Sequence, residues 1–337
     1  MMHEKYSAAS TVLTAVAYGD AFGLPAEGKS ANEISAQYGT ITELISPAGH
    51  PFFPYESRGA TSDDTQLSVA VAEGLIAASG FSIDSQAEKH ITAYLETPVI
   101  RDTEGALLAR GWGKSTIRAM ERLIEGVSPE YSGEKQGGGN GVVMKMAPLA
   151  IWQAFQGFDI ATRHEQYDSL TTMTHDSDIA RFCTRLHGDV IALLLNGNGY
   201  LDDVIHDAVQ TLPSDMYARE AHMLKRATVD PCDTFEALVE RYAVGNSGKK
   251  YGFYVPETLA MTYDILLGSG GDFETAVQWA ANLGGDADST ASIVASLIAC
   301  STDGAFQKPK DFTDVQDYDQ LVRTSEVFEK LVETSFE

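Results

Sequence analysis

Cysteine is scarce: Cys183, Cys232 and Cys300 are the only three in 337 residues. They are odd in number, far apart and form no CxxC pair. That excludes a disulfide framework and a structural zinc site. Positive charge is also short, with 24 Lys and Arg against 48 Asp and Glu and a net charge of −24. Duplex nucleic acid needs a basic footprint and an anionic bilayer attracts basic surfaces, so neither is expected as a partner. No apolar run reaches ~18 residues, the length a membrane-spanning helix needs. The N-terminal stretch MMHEKYSAAS lacks the charged-then-apolar pattern of a secretion signal. A cytoplasmic protein is expected. Strand-like alternation is equally rare; residues 39–44 show it, over too short a span to set up a sheet.

What remains is helical. Hydrophobic residues make up 44% of the chain and charged residues 21%, enough to bury a sizeable core. Residues 64–78 place Leu67, Val71, Leu75 and Ile76 on one helical face. Similar patterns predict helices over 11–17, 114–125, 141–155, 178–195, 234–242, 256–267, 273–281, 288–300 and 318–332. Gly19 and Gly23 suit the exit of the first helix, and Pro25 stops its continuation. No repeat or Pro/Gly/Ser linker divides the chain. The expectation is an all-α fold, one compact multi-helix domain over 1–337. Its motif-bearing core spans about 10–304, and a helical segment follows over 305–337.

Two acidic clusters stand out, each opening a predicted helix: Thr61-Ser62-Asp63-Asp64-Thr65 and Gly284-Gly285-Asp286-Ala287-Asp288-Ser289-Thr290. Capping of the first-turn amides accounts for one such residue per helix. It does not account for two carboxylates in each cluster, nor for the paired glycines. Four carboxylates with neighbouring hydroxyls suit a hard cation, magnesium or manganese. If the clusters meet in space, two metals ~3.5–4 Å apart can share them. A third motif, Gly137-Gly138-Gly139-Asn140-Gly141, lets backbone approach a phosphate or ribose closely. Gly113-Lys114-Ser115 spells the end of a P-loop, but the required first glycine falls at Leu108, so a P-loop is dismissed. Asp20 reads as a local hydrogen-bonder. His175 reads as a helix-start cap sooner than as a base.

These motifs and their order resemble the ADP-ribosylglycohydrolase family, which includes dinitrogenase-reductase-activating glycohydrolase and the ADP-ribosylarginine hydrolases. GDAFGLPAE, SDDT, GNGVVMKMAPLA, TH and GGDADS follow one another in family order between about Ser10 and Gly304. The resemblance implies an all-α domain around a dinuclear centre of two Mg2+ or Mn2+. Carried over by position, Ser62, Asp63 and Asp64 form the first ligand set, and Asp286, Asp288 and Ser289 the second. Gly139, Asn140 and Gly141 match the ADP-ribose cradle, and His175 a position close to the ligand. Tyr251, in the 251–254 aromatic segment, matches a residue packing on adenine. Asp63 and Asp288 are candidates for the base. Glu27, matching the acidic residue of the family's mobile entrance loop, is grouped with them as catalytic. Lys145 departs from the family, where arginine is common.

The function so implied is metal-dependent hydrolysis at C1″ of an ADP-ribosyl group, through an oxocarbenium-like transition state. SDDT rather than TDDT resembles arginine-specific members, so ADP-ribosyl-arginine on protein is the expected substrate. ADP-ribose is then the product, and a cognate ADP-ribosyltransferase the source of the modification. Serine-linked ADP-ribose, O-acetyl-ADP-ribose, ADP-ribosylated nucleic acid and another glycoside are the alternatives within the chemistry. A non-catalytic ADP-ribose binder and a toxin-neutralising protein are the alternatives outside it.

Overall fold

The computed structural model describes residues 7–50, 53, 56–97, 100–101, 107–108, 111–196, 201–213, 216–243 and 251–334. Helices dominate it. In chain order they are α1 (Ser7–Gly23), α2 (Ala31–Tyr38), α3 (Asp63–Ala78), α4 (Ile83–Glu96), α5 (Lys114–Ile124), α6 (Pro129–Ser132), α7 (Ala147–Gln156) and α8 (Ile160–Thr172). There follow α9 (Asp178–Asn196), α10 (Leu201–Gln210), α11 (Ala218–Val229), α12 (Phe235–Leu238), α13 (Val255–Gly268), α14 (Phe273–Leu283), α15 (Ala287–Ser301) and α16 (Tyr318–Thr334). Strand is confined, among the described residues, to four two-residue pieces in two pairs: Ile100–Arg101 antiparallel to Leu107–Leu108, and Glu134–Lys135 parallel to His175–Asp176.

The centre of the molecule is α15. Every residue from Ala287 to Cys300 is buried, which a helix hydrophobic or small all round requires. Its Ala and Ser residues let neighbours come close, and α1 comes closest. Gly19 and Gly23 sit one turn apart on the contact face. A Cβ on Gly19 would lie 2.3 Å from the Ala291 carbonyl oxygen, and one on Gly23 2.2 Å from that of Ala287. Small residues four apart allow this approach of two helix backbones. The expected helix exit at Gly19 is therefore corrected: α1 continues to Gly23, and its glycines serve packing. Only then do Leu24, Pro25 and Ala26 tighten into a 3-10 turn.

The C-terminal segment joins the same core. Phe312, Val315, Leu321, Phe328 and Val332 are buried in it, and α16 packs on α1 and α3. Tyr18 stacks on Phe312 with centroids 5.1 Å apart. Its hydroxyl donates to Asp311 at 3.0 Å, and the same carboxylate accepts from the Leu44 amide at 2.7 Å.

The helix expected over 141–155 starts later, at Ala147, because Asn140 turns the chain first: its carbonyl accepts from the amides of Val143 and Met144. The 234–242 helix shortens to α12 and passes into a π turn over Val239–Ala243. Five helices of eight or more residues had no clear pattern: α2, α4, α8, α10 and α11. The first three bury little that is aliphatic; α2 buries Ile34 alone, and α4 buries Gln86, Ala87 and His90.

Candidate metal centre and active-site cavity

The two acidic clusters meet where α1, α3 and α15 converge. At the start of α3, Ser62 caps the helix by accepting from the Asp64 amide at 3.2 Å. The stronger cap comes from α1. Both oxygens of Asp20 accept from the Ser62 amide, at 3.0 and 2.9 Å, and Oδ2 also takes the Thr65 amide at 3.1 Å and the Thr65 hydroxyl at 2.5 Å. Asp20 thus answers the first-turn donors across more than forty residues of chain. Asp63 and Asp64 are left free of that duty, in a position the helix dipole favours for carboxylates.

The start of α15 is held by backbone. Gly284 and Gly285 have φ of 82° and 72°, the left-handed region. The Gly28 amide donates to the Gly285 carbonyl and the Gly285 amide to the Lys29 carbonyl, both at 2.8 Å. A Cβ on Gly284 would meet the Lys29 carbonyl at 2.2 Å, and one on Gly285 the Tyr251 carbonyl at 2.5 Å. The paired glycines are what allows the 27–30 segment to zip onto the turn before Asp286. That zipper carries Glu27 to the acids: donor oxygens of Glu27, Asp286 and Asp288 lie within 4.8 Å of one another. The His50 ring nitrogen Nε2 sits 3.2 Å from the Glu27 carbonyl and secures the same turn.

Across from these, Asp64 joins the second cluster directly. Ser289 donates to its Oδ2 at 3.1 Å and Ser292 to its Oδ1 at 2.8 Å. Asp63, Asp64, Glu27, Asp286, Asp288 and Ser289 all line one cavity of about 200 Å3. Ser62 is fully buried beside them, with its hydroxyl 3.3 Å from Asp64 Oδ2.

Electrostatics make this group unstable alone. Burial pushes the carboxyls of Glu27, Asp63, Asp64, Asp286 and Asp288 upward, and the charges of their acidic neighbours push the same way. Glu27 keeps some exposure as a residue, yet its Oε2 is sealed from solvent without a hydrogen-bond partner. An orphaned carboxylate oxygen among crowded acids, in an all-oxygen donor set, fits a hard divalent cation.

The opposite wall is built by the glycine run. Asn140 lines the same cavity. Its side-chain amide donates to Asp286 Oδ2 at 2.7 Å and to the Gly252 carbonyl at 3.2 Å. Its backbone amide donates to Phe253, and the Val255 amide returns a bond to Gly138. With the chain zipped this way, Gly139 and Gly141 face His175; a Cβ on either would stand 3.4 Å from the imidazole. His175 is placed by the parallel pairing of 134–135 with 175–176 and lines the cavity. Burial first, then the charge of Lys145, pulls its imidazole down to about 3, so it is neutral at pH 7.

Tyr251 is not brought to the cavity. Its ring packs on Gly285 and its hydroxyl donates to the Leu283 carbonyl at 2.6 Å, while Phe253, two residues on, lines the wall. Sequence reasoning passed over Ser292 and the first turn of α5, and read Asp20 only as a local bonder. Gly111, Gly113, Lys114, Ser115 and Thr116 all line the cavity. A Cβ on Gly111 would come to 2.9 Å from Asp63 Oδ1. The signal was present as the Gly-Lys-Ser spelling dismissed as a failed P-loop.

With this geometry in hand, the relatives are informative. The ADP-ribosylglycohydrolase family model matches residues 1–332. The chain is 25% identical over 314 residues to the ADP-ribosylarginine hydrolase Tri1 of Serratia proteamaculans, covering 92% of this chain and 75% of that one. It is 25% identical over 243 residues to the Tri1 hydrolase of Pseudomonas putida, covering 71% and 58%. An uncharacterized protein of Archaeoglobus fulgidus is 25% identical over 297 residues, covering 88% and 87%. A solved ADP-ribosylglycohydrolase-related protein complex shares the fold, with a TM-score of 0.70 over 98% of this chain and 99% of its own, at 21% identity. The acids at the starts of α3 and α15 thus sit in the setting that the sequence motifs describe, and the chain belongs to the ADP-ribosylglycohydrolase family.

Proposed function

We propose that this glycohydrolase removes ADP-ribose from arginine side chains of modified proteins, with divalent metal bound at the acidic cluster. The observation that carries the reading is the approach of Glu27, Asp286 and Asp288 to within 4.8 Å, in the cavity that Asp63 and Asp64 also line. Asp63, Asp64, Asp286 and Asp288, with the hydroxyls of Ser62 and Ser289, would hold two Mg2+ or Mn2+. When bound, the cations supply Lewis acidity toward water and the ribose hydroxyls.

The chain's own residues do the rest. Gly139 and Gly141 line the cavity beside the neutral His175 ring, where the lack of side chains would let a diphosphate approach the backbone. Phe253 offers an aromatic face to adenine, the role first given to Tyr251. Asp63 or Asp288 would take the proton of the attacking water, and Glu27, which lines the same cavity, would act with them. Bond cleavage at C1″ leaves ADP-ribose and the free arginine side chain. The Ser62-Asp63-Asp64-Thr65 spelling and the two Tri1 relatives support arginine over serine as the acceptor. A cognate ADP-ribosyltransferase would supply the substrate. Three free, buried cysteines suit a reducing cytoplasm.

Equal amounts of arginine-linked and serine-linked ADP-ribosyl peptides, incubated with the protein and Mg2+ or Mn2+, decide the linkage by mass spectrometry. Faster loss of the arginine-linked label is expected. Preferential loss of the serine-linked label would reassign the substrate.

A further inference from the structure

The first turn of α5 lines the cavity and has no part in the chemistry assigned to the acids. The chain just before it touches the acidic cluster: a Cβ on Gly111 would stand 2.9 Å from Asp63 Oδ1. Five residues on, the Thr116 hydroxyl faces the other wall, 3.4 Å from where a Cβ on Gly141 would stand. Residues 111–116 thus run from the acids to the glycine wall, and Lys114, Ser115 and Thr116 all line the cavity between them.

Three features of this turn suit a phosphate. Thr116 is only 1% exposed, yet its hydroxyl has no hydrogen-bond partner among the described residues. A buried hydroxyl left unpaired on a cavity wall calls for a polar ligand. Gly113, the N-cap, has no side chain to accept from the first-turn amides, which a helix leaves without intrahelical acceptors and which favour an anion. Lys114 is exposed, and it is the only cation among the described residues of the cavity wall, where Glu27, Asp63, Asp64, Asp286 and Asp288 supply five carboxyls. The neutral His175 adds none. A diphosphate brought beside such a cluster is repelled unless positive charge meets it, and Lys114 is the charge this wall can bring.

We propose that Lys114, Ser115 and Thr116 seat the phosphate next to the scissile ribose and give the site its preference for a phosphorylated ribosyl group. The hydroxyls of Ser115 and Thr116 donate to phosphate oxygens, the first-turn amides face the same anion, and Lys114 adds charge from the solvent side. Gly139 and Gly141 are then left to the second phosphate. The Gly113-Lys114-Ser115-Thr116 spelling is thus a phosphate seat built without a P-loop. This inference rests on the reading of the cavity as an ADP-ribosyl site.

The test is isothermal titration of ADP-ribose and of ribose 5-phosphate into the Mn2+-loaded full chain, with Mn2+ titrations of the stripped chain and thermal melts alongside. Four variants are compared with the parent: Lys114→Met, Lys114→Arg, Thr116→Val and Thr116→Ser. Lys114→Met should weaken both ligands about 5-fold at low salt and flatten the salt dependence, as loss of one exposed charge implies. Thr116→Val should weaken both about 10-fold, as loss of a hydrogen bond to a charged group implies. Lys114→Arg and Thr116→Ser should keep parental affinity, and Mn2+ affinity should be the same in all four. Parental binding of both ligands by folded Lys114→Met and Thr116→Val overturns the proposal. So does a parallel loss of Mn2+ affinity, which marks a structural role instead. If Thr116→Val fails to fold, Lys114→Met, made at an exposed side chain, carries the comparison. Mn2+ binding without ADP-ribose binding in the parent would reject the ADP-ribosyl reading itself, and the phosphate seat with it.

Discussion

The side-chain amide of Asn140 reaches Asp286 Oδ2 at 2.7 Å, joining the glycine wall to the acidic wall across 146 residues of chain. The same amide holds the Gly252 carbonyl, so one side chain sets the width of the cavity and the direction of a carboxylate.

Asn140→Ala should cost function more than stability. A partner that orients a ligand carboxylate is worth about 10- to 100-fold in metal affinity or activity when removed. The expected outcome is weaker Mn2+ binding within that range, with the melting temperature shifted by only a few degrees. An unchanged Mn2+ affinity would show that Asp286 holds its direction without the amide.

Asp20→Asn should act the opposite way. The Asn amide group would bring donors against the Ser62 and Thr65 amides, which are themselves donors. The cost is about 1–3 kcal/mol for a buried mismatch. Melting should fall with and without metal alike, because Asp20 caps α3 and lies outside the cavity wall. A loss confined to the metal-loaded form would make Asp20 a ligand.

Gly23→Ala tests the packing of α1 on α15. Its Cβ would stand 2.2 Å from the Ala287 carbonyl oxygen, and backbone cannot yield as a side chain does. Destabilisation of about 3 kcal/mol or more is expected. Gly113→Ala, whose Cβ meets nothing within 4 Å, is the control and should stay within about 0.5 kcal/mol of the parent. Denaturant unfolding measures both, and equal stabilities would contradict the close approach.

His187 governs part of the acid limb. It is fully buried beside Tyr263, whose hydroxyl is 3.4 Å from Nδ1, and burial pulls its imidazole down to about 3. The unfolded chain takes up the proton near pH ~6.5, while the folded chain refuses it until about 3. Stability from this group is thus fully present above ~6.5 and falls as pH drops, by up to ~1.4 kcal/mol per pH unit. His187→Gln should show a shallower loss between pH 6.5 and 4.5, followed by denaturant unfolding. His90 and His175 are depressed in the same direction, so some slope persists. Parallel curves for parent and variant would contradict the assignment.

The acidic clusters were legible in the sequence because each holds one carboxylate more than capping uses. Gly284 and Gly285 were legible as unusual, but their reason, the zipper with residues 28–30, is a contact across about 255 residues of chain. Asp20 was missed for the same cause: its partners Ser62 and Thr65 are distant, so it reads as a local bonder. Gly19 shows a second limit. A glycine that ends a helix and one that admits a neighbouring backbone look alike until the neighbour, here Ala291, is in place. Tyr251 and Phe253 show a third, since two aromatics two residues apart around Gly252 take opposite duties, set by the left-handed turn at φ 81°. The helices α2 and α4 hid because they bury few aliphatic side chains, so no hydrophobic stripe marks them.

Hydrolysis driven by cations at Asp63, Asp64, Asp286 and Asp288 is the proposal on which the rest depends. Release of free ADP-ribose from an arginine-linked peptide tests it most directly, in the parent and in Asp63→Asn and Asp288→Asn, each with Mg2+ and with excess chelator. The expected result is turnover by the parent with Mg2+, a loss of at least ~100-fold in either variant, and no turnover in chelator. Full release by both variants, or by the parent in thorough chelator, would contradict it.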